Sequence, residues 1–136
     1  MFEILDHPSD VGILAVGATR REALLEASRG VMSLIVNTAG LETAEERVFT
    51  ASGSDEAAQI VNWVNEILFF FDTEGFISVE FSIDSWNEHG ISGHARGTHF
   101  DPTRHEFRTA VKAATFHQFE SRSTPQGWEI RIFVYV

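Results

Sequence analysis

Hydrophobic positions along the chain recur with two periods, and the change of period marks out the elements. Met1 to Leu5 and Val11 to Gly17 are short apolar runs on either side of a polar loop, and read as strands. Thr19-Arg20-Arg21-Glu22 is a capping box: the Thr hydroxyl accepts from the amide three residues on, and the Glu carboxylate reaches back. Leu24, Ala27, Val31, Leu34 and Ile35 then follow at helical spacing up to Val36, and Asn37-Thr38-Ala39-Gly40 ends that helix. Glu46 to Ala51 reads as a weaker strand. Ser54 is the expected cap of a second helix, with Asp55 and Glu56 in the first turn, where the dipole favours anions. Ile60, Val61, Val64, Ile67, Leu68 and Phe71 form its apolar stripe, and Gly75 closes it.

The second half has the period of strands. Ile77, Val79, Phe81 and Ile83 alternate with polar residues, Asn87-Glu88-His89-Gly90 turns the chain, and a further strand runs from Ile91 to Phe100. Asp101-Pro102 breaks it. An extended segment from Thr109 to Arg122 and the turn Thr124-Pro125-Gln126-Gly127 lead to a last strand, Trp128 to Val136. Two helices and six or seven strands, consecutive at the end of the chain, predict an α+β fold. Both helices are expected on one face of a mostly antiparallel sheet, in a single domain spanning residues 1–136. The chain then ends inside a strand, which would hold its terminal carboxylate in place.

Composition narrows the chemistry. Of 136 residues 43 % are hydrophobic and 12 are Phe, enough for a core. There is no apolar run of bilayer length and no charged-then-apolar leader, so an intracellular, cytoplasmic protein without membrane attachment is expected. With no Cys, thiol nucleophiles and zinc-cysteine sites are excluded. Twenty acidic against 10 basic residues give a net charge of −10, which repels phosphates and favours cations or basic protein partners. Direct high-affinity binding of nucleic acid is not expected, and from charge alone simple solubility is the better reading of the acidity.

Phosphate-loop and dinucleotide motifs and the strand-turn Ser elbow of hydrolases are absent. Of six His, five fall between His89 and His117, and none has zinc-site spacing, so most read as surface or loop imidazoles. Asp6, His7 and Asp10 crowd the opening loop LDHPSDVGI. They read either as Asp residues capping their own turn or as part of a cation site. Lys112 is a lone cation in AVKAATFH. Its stem packs on a sheet with the ammonium in water, or it meets an anionic partner near a site.

Three blocks carry a resemblance to a known family. HPSDVG resembles the H-T-A-D-V-G opening of the archease family. IVNWVNEILFFFDTEGF resembles its second helix and the acidic-Gly turn after it. GTHFDPTRHEFRTAVKAATFH resembles G-x-x-F-D-x-x-x-H followed by T-E-V-K-A-x-T-Y-H. The blocks occur in the same order and spacing over the whole chain, and the flush final strand is similar too. What the resemblance implies is a protein cofactor, not an enzyme, that activates an RtcB-type RNA ligase of tRNA splicing and repair. It would promote the ligase's guanylylation and multiple turnover. It also implies a divalent cation, calcium or magnesium, held by acidic side chains and the C-terminal end. Residue by residue, the loop Asp falls on Asp10, the motif Lys on Lys112, and the C-terminal end on Tyr135 and Val136.

Two positions depart from the family pattern. Its next-to-last residue is usually acidic and here is Tyr135; the Glu of its T-E-V-K is here Ala110. Fewer carboxylates mean weaker cation binding, with Asp6 as a candidate replacement. The alternative is a chaperone-like interaction module of the same fold without the cation. From another class, a metallohydrolase using His94, His105 and His117 would require those three side chains to meet.

Overall fold

Helix α1 (Arg20–Ile35) begins as the capping box dictates, with the Glu22 amide donating to the Thr19 hydroxyl at 3.2 Å and the Ala18 amide donating to the Glu22 carboxylate at 2.9 Å. Helix α2 (Glu56–Glu74) is capped by Asp55 and not by Ser54. The Asp55 carboxylate accepts from the Ala58 amide at 2.8 Å, a stronger acceptor than a hydroxyl would be. Gly75 closes it in the left-handed conformation, φ 67°, which glycine adopts without steric cost.

The computed structural model describes residues 1–6 and 9–136, with Asp6 described in its backbone alone; the His7 and Asp6 side-chain readings therefore lie outside the described residues. The strands are β1 (Phe2–Asp6), β2 (Asp10–Gly17), β3 (Glu45–Ser52), β4 (Phe76–Asn87), β5 (Gly90–His99), β6 (Ala113–Thr124) and β7 (Gly127–Tyr135). The class is α+β. The described strands divide into two antiparallel sheets, though, ordered β1-β2-β7-β6 and β3-β5-β4, and each helix packs against strands of both. The reason is visible on α2. It buries Gln59, Ile60, Val61, Trp63, Val64, Ile67 and Leu68, an arc too wide for one sheet face to cover.

Between the sheets lies the core: Trp63, Phe49, Phe76, Ile13, Leu24, Ile60, Ile67 and Ile130 are all fully buried. The Trp63 indole N–H donates to the Ser28 hydroxyl at 3.0 Å, and Ser28 in turn donates to the Leu24 carbonyl at 2.7 Å. No described helix is long and apolar enough to cross a membrane.

Strand β6 begins at Ala113, four residues later than its apolar pattern indicates. The preceding residues serve the end of α1 instead: the Arg108 amide donates to the Ile35 carbonyl at 2.7 Å and its guanidinium to the Ser33 carbonyl at 3.1 Å. A cation there also complements the helix dipole. Within β6 the register slips between Thr115 and Glu120, with Gln118 at φ 55°, so residues 116–119 form a wide bulge opposite β7.

Candidate functional site

Strands β2 and β7 are antiparallel neighbours, and their register brings the beginning and end of the chain together. Asp10, the first residue of β2, is paired with Tyr135, the last residue of β7, and Val136 follows immediately. Ala113, at the start of β6, pairs with Tyr135 from the other side. The amide of Lys112 donates to the Tyr135 carbonyl at 2.8 Å. Three segments distant in sequence thus meet at one end of the four-stranded sheet.

The segment that delivers Lys112 is fixed by its own polar residues. The Asp101 amide donates to Nδ1 of His105 at 2.8 Å, while the His105 amide donates to the Asp101 carbonyl, also at 2.8 Å. His105 is therefore not a surface imidazole. It is buried, because its ring both packs near Phe100 and staples this turn. The hydroxyl and amide of Thr103 hold the Asp101 carboxyl below the usual carboxylate range. Downstream, Val36 and Phe107 form an isolated bridge, and the Asn37 amide donates to the Glu106 carbonyl at 3.0 Å.

At the meeting point the side chains differ in exposure. Asp10 is buried, at 6 % relative exposure, and is part of a strand, not of the loop. Tyr135 and Val136 are exposed at 43 % and 38 %. The Tyr135 hydroxyl lies 3.3 Å from the Thr115 hydroxyl, which turns the phenol towards β6. Lys112 is exposed, and so is Ala110, whose methyl offers no donor.

A hard cation requires oxygen ligands. The described residues provide the Asp10 carboxylate and the backbone oxygens of Val136, and among them no group of three or more His, Cys, Asp or Glu could hold a metal. A cation seated here would find few protein oxygens, which would suit magnesium, since it keeps several waters and binds through one or two carboxylates, better than calcium, which takes roughly six to eight oxygens. His94, His105 and His117 do not meet: they lie on β5, in the Asp101 turn and on the β6 bulge. His94 instead sits 3.2 Å from Asp84. Thr115, Gly12 and Phe133, which no motif singles out, form the row of residues next to Asp10 and Tyr135. Gly12 lies within HPSDVG; only the register brings it beside the other two.

A cavity of about 420 Å³ lies between α2 and β3, with Glu66 in its wall; the neighbouring Asn65 accepts from the Ala114 amide at 2.9 Å. Burial pushes the Glu66 carboxyl above the usual carboxylate range. The folded state then holds that proton more tightly than the unfolded state, so Glu66 costs stability as pH rises from roughly 4, the ordinary Glu value, through its raised one. Glu66→Gln is expected to raise the melting temperature at pH 7 and to have much less effect near pH 4. An equal change at both would remove desolvation as the cause.

The chain matches the model of the Archease protein family (MTH1598/TM1083) over residues 2–136. It is 28 % identical over 137 residues to the protein archease of Methanosarcina barkeri, covering 98 % of this chain and 94 % of that one. It is 34 % identical over 121 residues to the protein archease of Sulfurisphaera tokodaii, covering 88 % and 86 %. The solution structure of Methanobacterium thermoautotrophicum protein 1598 superposes with a TM-score of 0.84 at 28 % identity, covering 99 % of this chain and 98 % of that one. The crystal structure of an archease, possible chaperone, from Thermotoga maritima shares the fold at a TM-score of 0.64 and 18 % identity, covering 99 % and 95 %.

Proposed function

The chain belongs to the archease family, and from that membership we propose that it activates an RtcB-type RNA ligase as a protein cofactor, promoting guanylylation and multiple turnover. The observation that carries this reading is the end-to-end family match over residues 2–136. Two features support it. The net charge of −10 disfavours direct contact with RNA and favours a protein partner. The exposed Lys112, Tyr135 and Val136 offer that partner a cation and apolar surface beside a buried carboxylate.

In this reading the Asp10 carboxylate and the Val136 oxygens hold a divalent cation, magnesium in preference to calcium. Bound there, the ion would supply a positive charge that neutralises both groups and ties the opening of β2 to the end of β7. The chain's own residues do the rest. The Lys112 amide anchors the Tyr135 carbonyl at 2.8 Å, and Thr115 orients the phenol. The Lys112 ammonium is left for an anionic group of the ligase. Tyr135 and Ala110 stand where the family usually has acidic residues, and they favour a second reading: an interaction module that works without the cation.

The test is guanylylation of the RtcB-type ligase from the same genome, measured with and without this protein. Faster formation of the guanylylated enzyme is expected. An unchanged rate and turnover number would defeat the proposal. Stimulation that persists in excess chelator would favour the cation-free reading.

A further inference from the structure

The row of side chains beneath the Asp10–Tyr135 pair has an unusual composition. Across the four-stranded sheet it runs Leu5, Gly12, Phe133, Thr115, each opposite the next. This row lies on the sheet face turned away from α1. Ile13 packs against α1, where a Cβ on Gly30 would come within 2.9 Å of it, and its partner Ile132 shares that face, so Phe133 points the other way. A Phe on the outer face of an antiparallel sheet is ordinarily wet. Phe133 is 2 % exposed.

Gly12 makes that burial possible. A Cβ placed there would lie 2.7 Å from Cε1 and 2.8 Å from Cζ of Phe133, and 3.0 Å from Cβ of Leu5. The ring therefore rests directly on the Gly12 backbone. Thr115, at the other end of the row, is the residue whose hydroxyl meets the Tyr135 phenol. Asp10 lies two residues before Gly12 on the same face, and Tyr135 two residues after Phe133.

We propose that Gly12 and Phe133 are a positioning pair: the ring seated on the bare backbone sets the height of Asp10 and Tyr135, and with it the separation of the Asp10 carboxylate from the Val136 oxygens. This rests on the reading of those oxygens as a cation seat. Neither residue has a side-chain oxygen to offer a cation; both would act through the strands that carry Asp10 and Val136.

The experiment is a size exchange. Gly12→Ala, Phe133→Leu and the double variant are compared with the parent by magnesium titration calorimetry and by hydrogen exchange of the Lys112 amide, which reports whether the end of β7 is held. Each single variant is expected to weaken magnesium binding by roughly 10–100-fold, as loss of supporting groups around metal ligands does, and to speed exchange at Lys112. The double variant recovers both, because leucine lacks Cε1 and Cζ, the atoms that the methyl added by Gly12→Ala would strike. Singles that behave as the parent, or a double that recovers neither readout, would overturn the proposal. If Gly12→Ala does not fold, Phe133→Leu against the double decides it. A parent protein that takes up no magnesium would count against the cation seat itself, while Lys112 exchange would still report on the pair.

Discussion

Asp10→Ala is expected to abolish stimulation of the ligase while leaving the protein folded. Asp10 opens β2 directly opposite Tyr135, so its removal takes away the side-chain carboxylate that would share a cation with the Val136 oxygens. Magnesium affinity should fall by at least the roughly 10–100-fold that follows loss of supporting groups around a metal, since a ligand itself is lost. Asp10→Asn keeps the shape and one oxygen and should fall between. The check is calorimetry beside guanylylation kinetics. Equal heats in parent and Asp10→Ala would strike Asp10 from the ligands, and equal stimulation would strike it from the function.

Trp63→Ala is expected to have the largest effect on stability, about 3–5 kcal/mol. That is a third or more of the stability of many domains of this size, typically about 5–15 kcal/mol. Trp63 is fully buried, meets Phe49 edge-on with ring centroids 5.4 Å apart, and packs so tightly on β5 that a Cβ at Gly93 would lie 2.9 Å from its Cη2. The loss has two parts. Removing the ring leaves a cavity between the sheets, and the Ser28 hydroxyl loses its donor. Trp63→Phe separates them: it keeps most of the volume, loses the hydrogen bond and should cost about 1–3 kcal/mol. Denaturant unfolding of the three proteins decides this, and a cost under about 1 kcal/mol for Trp63→Ala would refute the core assignment.

The helices were the most legible elements in the sequence, because their signals are local. Thr19 and Glu22 announce α1 within four residues, and Gly75 ends α2 in a conformation that other residues avoid. The strands were legible as strands, since alternation is also local, but their partners were not. Strand β3 pairs with β5 across an intervening helix and strand, so the division into two sheets follows from what the wide buried face of α2 requires and not from any pattern within β3. The start of β6 is not legible for a related reason: Thr109 to Lys112 continue the extended pattern, yet the chain before them is held at the end of α1 by Arg108.

The candidate site was legible in its residue types and only partly in its geometry. The family resemblance points to Asp10, Lys112, Tyr135 and Val136, and the register of β2, β6 and β7 brings their backbones together. The seating of Phe133 on Gly12 depends on tertiary contact across two strands, which no periodicity encodes. Nor does sequence alone separate His105, buried as a turn staple, from the exposed His89.

Manganese substitutes for magnesium at oxygen sites and broadens the NMR signals of nearby nuclei, so its titration into isotope-labelled protein locates the cation directly. The amide signals of Asp10, Lys112 and Val136 should fade together at the first additions, ahead of those around the Asp84–His94 pair on the other sheet. Broadening that begins at that pair, or that spreads evenly over the acidic surface, would contradict a cation seat built from Asp10 and Val136.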